Sequence, residues 1–278
     1  MGQETITASE ETTSRNRLPR RWAEALLFVA TWMGLGWSLG LEANSYLLIG
    51  IPLTILFQRL VRRVPLRALW VREAPPFGLG WLLPAAGLVI VPAYSLIGAL
   101  GRHQWVVGGW MASAVLGAVA AGYALRHFRR ETIRPFLLCQ LTAGSIGIGL
   151  MIAARAARSI HLPPLPLLGL QDFLLYFPVC FLLEEVSFRG ALDSHLHHPG
   201  EPWRRSTALL GSALWGVWHL PTLPPEAQGF GAALALAVSH SIIGVPLALY
   251  WRKGGNLVVP AFAHALIDAT RNALRILG

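Results

Sequence analysis

Phe173-Leu174-Leu175-Tyr176-Phe177-Pro178-Val179-Cys180-Phe181-Leu182-Leu183-Glu184-Glu185-Val186-Ser187-Phe188-Arg189 is an apolar run that ends in two adjacent carboxylates and a guanidinium. A run of this kind needs an apolar surrounding for its first part and a polar or paired one for its last. The rest of the chain says which surrounding is available. Of its 278 residues, 54% are hydrophobic and 13% charged, where an average soluble domain carries about 25% charged residues. A disordered chain or an ordinary water-soluble globule is excluded, and lipid is left to solvate much of the surface. The 19 prolines and 28 glycines are no objection, because neighbouring helices and buried polar side chains satisfy the backbone groups they free inside a membrane.

A span needs about 20 mostly apolar residues, and nine stretches qualify: roughly 22–41, 45–61, 78–100, 105–125, 135–156, 170–190, 206–222, 228–251 and 257–277. The second is short and one of the nine could be interfacial or re-entrant, so the expectation is an all-α, polytopic membrane protein with eight or nine transmembrane helices. Alternating the intervening segments between two sides puts Arg15, Arg17, Arg20, Arg21, Arg59, Arg62, Arg63, Arg67, Arg72, Arg126, Arg129, Arg130, Arg134, Arg189, Arg204, Arg205, Arg252 and Lys253 on one side. Only Arg102, Arg155, Arg158, Arg271 and Arg275 fall on the other. The positive-inside rule therefore predicts a multi-pass protein with a cytoplasmic N-terminus. Basic residues scattered between apolar runs, rather than along one polar stripe, argue against a nucleic-acid partner. Residues 1–21 lack a signal-peptide pattern and read as a flexible cytoplasmic tail. The Pro-rich stretch Leu162-Pro163-Pro164-Leu165-Pro166 divides a charge-poor set of spans, 22–160, from a charge-rich core, 161–278. Cys139 and Cys180 both lie in apolar segments and read as buried small hydrophobes.

Ionisable groups inside spans are costly and are functional candidates by default. The first five spans hold only Glu24, near an end; the last four hold Glu184, Glu185, Arg189, His219, His240, His264 and Asp268. On a helix, Glu185 and Arg189 stand at i, i+4 with the acid first, the favourable order for an ion pair. Glu184 is left about 100° around the helix, and two adjacent carboxylates sharing one guanidinium favour proton transfer by one of them. The bland alternative is that the span ends at Glu184 and all three residues are solvated. Trp215-Gly216-Val217-Trp218-His219 offers a histidine that could equally donate to a backbone carbonyl. His264 and Asp268, again at i, i+4, share a helical face and form either a structural pair or a donor set for a developing oxyanion. His240 suits packing or a supporting role. His195, His197 and His198 read as solvated loop residues.

Taken in order, Glu-Glu-x-x-x-Arg, aromatic-x-x-x-His and His-x-x-x-Asp, each on its own apolar segment, resemble the CPBP family of CAAX proteases and bacteriocin-processing enzymes, whose eukaryotic members are the type II CAAX prenyl endopeptidases. The resemblance runs from about Leu170 to the C-terminus. It implies a glutamate-dependent intramembrane endopeptidase of bacterial or archaeal type whose helical core encloses a cavity. Glu184 would activate water with help from His219, Glu185 and Arg189 would shape the site, and His264 and Asp268 would match the oxyanion-hole pair. Trp215 stands where the family often has Phe, and Asp268 where the prenyl proteases have Asn. An ionised Asp268 cannot donate, so it would have to be protonated or act by orienting His264.

The implied substrate is a membrane-associated protein or peptide, a CAAX-like or leader or sorting tail, with the lipid bilayer as second partner and the oligomeric state open. No cofactor is expected. Two histidines and a carboxylate could hold zinc with an open fourth position, but no His-Glu-x-x-His helix is present. The competing readings are a non-catalytic scaffold or immunity protein of the same family, and a proton-coupled transporter, although the repeats expected of a carrier are absent from the sequence. One geometric difficulty stands out. Successive spans run in opposite directions, which puts Glu184 toward the cytoplasmic half and His219 about 20 Å from the start of its span, so the two meet only if that span starts deep or tilts strongly.

Overall fold

The computed structural model describes residues 8–73, 75–157, 166–197 and 205–276, and these are helical apart from short turns and one isolated bridge between Val71 and Asn256. Residues 1–7 of the expected tail, residues 162–165 of the Pro-rich stretch and His198 lie outside the described residues. Helix α1 (Ala8–Ser38) begins within the stretch read as a tail. It is followed by α2 (Ala43–Arg62), α3 (Leu79–Gly101), α4 (Trp105–Arg126) and α5 (Arg130–Ala156). Next come α6 (Pro166–Cys180), which continues directly into a π-helical segment (Phe181–Asp193), then α7 (Arg205–Trp218), α8 (Phe230–Gly254) and α9 (Val258–Ile276).

By length and composition, five of the described helices (α2, α3, α4, α5 and α8) can cross a membrane, against the eight or nine spans expected. The difference has a physical source. The element from Pro166 to Asp193 carries Asp172, Glu184, Glu185, Arg189 and Asp193, α9 carries His264, Asp268 and Arg271, and α7 has only 14 residues. These pack among the apolar helices instead of presenting continuous apolar faces. The outward surface of the apolar set is rich in exposed large side chains, among them Leu83, Tyr94, Ile90 and Ile97 on α3, as expected of a surface facing lipid.

Two features place the inner helices. An aromatic cluster ties α1, α2, the π segment and α7 together. Trp32 stacks on Phe188 with centroids 6.0 Å apart, Trp218 meets Phe188 edge-on at 5.1 Å, and the Tyr46 hydroxyl donates to the Trp218 carbonyl at 2.7 Å. That cluster fixes the end of α7, and His219 is the next residue. Gly216, one turn earlier, lets α7 and α8 touch, since a Cβ there would collide with the backbone carbonyl of Leu236. Gly255, with φ +60°, takes the left-handed conformation that terminates α8 and turns the chain into α9.

Candidate active site

The carboxylates that close the opening run are not at a helix end. The helical element continues through Asp193, so Glu184 lies inside it and is buried, at 7% exposure. The two side chains whose meeting looked difficult do meet: His219, the residue after α7, has its Nε2 3.7 Å from Glu184 Oε2. The solvated alternative for Glu184, Glu185 and Arg189 does not hold, because all three are buried. The widened turn contributes. A π-helix bonds i to i+5 and is found mostly at functional sites, and here it spans every residue from Phe181 to Asp193.

The two neighbouring glutamates have different surroundings. Glu185 is fully buried, and its Oε1 accepts from His264 Nδ1–H at 2.8 Å and faces Arg189 Nη1 at 3.3 Å. The Arg189 guanidinium also lies 4.1 Å over the Trp215 ring, an attraction between a cation and the negative π face. Glu184 Oε2 accepts from Trp215 Nε1–H at 2.8 Å and stands 3.7 Å from His219 Nε2 and 3.8 Å from His264 Nε2. Trp215 thus touches both acids' surroundings, its N–H on one and its face on the partner of the other.

Hydrogen bonds fix the imidazole tautomers, because a carbonyl or carboxylate oxygen can only accept. His219 Nδ1–H donates to the Trp215 carbonyl at 2.9 Å, which leaves Nε2 as a lone pair directed toward Glu184. His264 spends Nδ1–H on Glu185, so its Nε2 points between Glu184 and Asp268, the latter 3.7 Å away. His240 Nδ1–H donates to the Leu236 carbonyl at 2.9 Å, and its ring lies 4.5 Å from that of His219 and 4.7 Å from Trp215. The His219 side chain is 24% exposed, against 10% for Glu184 and 5% for His264.

The structure therefore brings together Glu184, Glu185, Arg189, Trp215, His219, His264 and Asp268, with His240 packed behind His219. It adds two side chains that sequence reasoning passed over. Cys180 Sγ–H donates to Asp268 Oδ2 at 3.5 Å, and Arg271 Nη1 lies 3.1 Å from Asp268 Oδ1. Spacing held a signal for both, since Cys180 is at i−4 from Glu184 and Arg271 at i+3 from Asp268. Cys180, His264 and Asp268 are also the one group among the described residues with ligand atoms close enough, within 4.8 Å, to suggest a metal. The fit is poor. Asp268 already has a guanidinium against it, and a cation placed there would sit beside Arg271.

A cavity of about 640 Å³ lies elsewhere, at the arginine-rich ends of the helices, where Arg20, Arg62, Arg72, Asp193 and Arg252 line it. The enclosed cavity expected around the carboxylates does not correspond to this one.

Residues 166–270 match the family described as type II CAAX prenyl endopeptidase Rce1-like, and this match supports CPBP family membership. The matched segment contains every acid, imidazole and guanidinium of the site except Arg271, which follows its end. No curated protein and no solved structure matches the chain. Together with the apolar helices, this match supports an integral membrane protein and, in general terms, a protease.

Proposed function

We propose that this chain hydrolyses a peptide bond of a membrane-associated protein or peptide by direct attack of a water molecule activated by Glu184 and His219, without a metal. The observation that carries the reading is the convergence of Glu184, His219 and His264 from three separate elements, with both imidazole Nε2 atoms within 4 Å of the Glu184 carboxylate. One water can reach both Glu184 and the His219 Nε2 lone pair. The described contacts of Glu184 fall on Oε2, which leaves Oε1 available to accept the water proton. As the hydroxide oxygen bonds to the peptide carbon, the carbonyl oxygen gains negative charge and leans on Nε2–H of a doubly protonated His264, whose Nδ1–H stays on Glu185. The tetrahedral species collapses when the protonated Glu184 delivers its proton to the leaving nitrogen and the C–N bond breaks. Atoms balance with one water consumed and no covalent intermediate.

Asp268 serves this scheme as an ionised group rather than a donor. Its partners are all donors, Arg271, Cys180 and the facing side of His264, and a carboxylate there favours a proton on His264 Nε2. Glu185 does the same from the other ring nitrogen, so the imidazole is held as a donor from both sides. The family would suggest a CAAX-type C-terminal substrate, and a lipid-proximal peptide suits a site embedded among apolar helices.

The test compares wild type with Glu184→Gln in native membranes by terminal-peptide mass spectrometry, each with and without a zinc chelator. The proposal predicts protein termini that vanish in the variant and persist with chelator, and these termini name the substrate. Loss on chelation, restored by zinc, would overturn the metal-free mechanism. Identical termini in two equally folded and expressed proteins would favour the scaffold reading.

A further inference from the structure

The cavity at the arginine-rich helix ends is assembled from residues far from the carboxylate site, and its charges are unevenly matched. Asp193 is taken up by Arg252, whose Nη2 and Nε lie 2.6 and 3.0 Å from its two oxygens. Glu24 is shared by Arg20 and His195, each at 2.8 Å. Arg62 and Arg72 bond to neutral acceptors. Arg62 Nη1 donates to the Gly190 carbonyl at 2.7 Å and to Gln58 Oε1 at 2.8 Å, and Arg72 donates to the Arg252 carbonyl at 2.7 Å and the Trp251 carbonyl at 3.3 Å. Among the described residues neither has a carboxylate within ion-pair distance, and both are partly buried. Burial presses the Arg72 pKa below its ordinary value, and Asp193 offsets this in part; a further anion beside it would act in the same direction as Asp193.

The geometry is rigid. Arg72 N–H donates to the Gly255 carbonyl at 2.8 Å and Leu257 N–H to the Trp70 carbonyl at 2.9 Å, pinning the segment after α2 to the turn between α8 and α9. The wall beside Arg62 is apolar, formed by Val61, Val64 and Ala68, and on α2 the side chains of Leu60 and Val61 are exposed at 66% and 38%. A pair of partly buried guanidinia with unspent N–H donors, next to an apolar strip that leads onto a membrane-facing helix, matches a molecule with an anionic head and hydrocarbon tails.

We propose that this cavity binds the phosphate of an anionic phospholipid headgroup, held by Arg62 and Arg72, with the acyl chains along Leu60 and Val61. Basic pockets between membrane helices recognise headgroups in this way, and the planar guanidinium forks suit phosphate oxygens. The inference does not rest on the catalytic reading, since no residue of the carboxylate site lines the cavity.

The experiment uses the full chain in neutral detergent, measuring bound lipid by native mass spectrometry and thermal stability in parallel. The probes are phosphatidylglycerol, phosphatidylcholine, soluble glycerophosphoglycerol and inorganic phosphate. Phosphatidylglycerol is expected to bind at one per chain and raise the melting temperature, while phosphatidylcholine and the two soluble probes do not. In Arg62→Gln/Arg72→Gln its affinity should fall about tenfold or more. Because those arginines also cap helix ends, Val64→Glu provides a second variant: it leaves both guanidinia and their carbonyl bonds in place, supplies an internal carboxylate, and should abolish the phosphatidylglycerol shift. Equal stabilisation by phosphatidylcholine, or an unchanged phosphatidylglycerol shift in Val64→Glu, overturns the proposal. If inorganic phosphate reproduces the full shift, the site takes phosphate but the lipid assignment fails.

Discussion

Glu184 and Glu185 are adjacent in sequence, yet their surroundings assign them different work. Glu185 is sealed against Arg189 and His264, so replacing it with Gln leaves a buried guanidinium without its counter-charge. Removing one partner of a buried pair costs about 3–5 kcal/mol, and Glu185→Gln should lower the unfolding temperature in detergent as well as activity. Glu184→Gln should leave unfolding unchanged, since the amide oxygen can still accept from Trp215. His264→Ala is expected to reduce kcat by about 10²–10³, the usual cost of one oxyanion donor, with KM little altered in steady-state cleavage. Asp268→Asn should lower kcat as well, because Arg271 loses its partner and His264 loses one of the charges that favour its donor form; kcat at or above the wild-type value would show that Asp268 acts as a donor. The i, i+4 spacings made the Glu185–Arg189 and His264–Asp268 pairs legible, and both pairs are in place. What spacing could not give was the crossing between elements: that His264 turns its Nδ1 to Glu185, or that Arg271 and Cys180 close around Asp268. Those contacts depend on how helices pack, which a single helical wheel does not contain.

At the scale of elements, the π segment and the close approach of α7 to α8 set the depth of the site. The sequence reading ended this span near residue 190 as a regular helix. Hydropathy has no means of separating an i→i+5 turn from an i→i+4 turn over so few turns, and a buried charged end looks the same as a solvated one. The contact between Glu184 and His219 depends on how the Pro166–Asp193 element crosses α7, which hydropathy does not contain. Gly216 is the sensitive point of the α7–α8 contact, where a methyl group would press on the Leu236 carbonyl. Gly216→Ala should destabilise the protein by about 1–3 kcal/mol, the range for overpacking, and displace the Trp215 and His219 pair. The measurement is thermal unfolding beside relative kcat; unchanged values for both would show that the contact yields easily.

For the whole molecule, the helices that carry the site's ionisable groups and the helices apolar enough to cross a membrane are largely different sets. The four apolar spans α2 to α5 contribute none of the site's ionisable groups, α8 contributes only His240, and the other groups come from the Pro166–Asp193 element, the residue after α7, and α9. Composition and charge placement were enough to read a helical membrane protein and to locate its polar core in the C-terminal half. Five of the described helices qualify as spans by length and composition, and the polar helices of the core have apolar stretches of their own. The arginine distribution predicts that the N-terminus faces the cytoplasm. A Gly2→Cys variant should resist a membrane-impermeant thiol reagent in intact cells and react after permeabilisation, whereas labelling in intact cells would reverse the assignment.

The central claim is that Glu184 is the base for a water attack carried out without a metal. It is tested most directly with purified protein in lipid nanodiscs, using a peptide cut by the wild-type enzyme and comparing kcat for wild type, Glu184→Gln and His219→Ala in chelator-treated buffer, with unfolding temperatures measured on the same samples. The account predicts undiminished wild-type turnover after chelation and, at matched unfolding temperatures, a loss of about 10²-fold or more in each variant. A Glu184→Gln protein that keeps wild-type turnover, or a wild-type enzyme silenced by the chelator and restored by zinc, would contradict it.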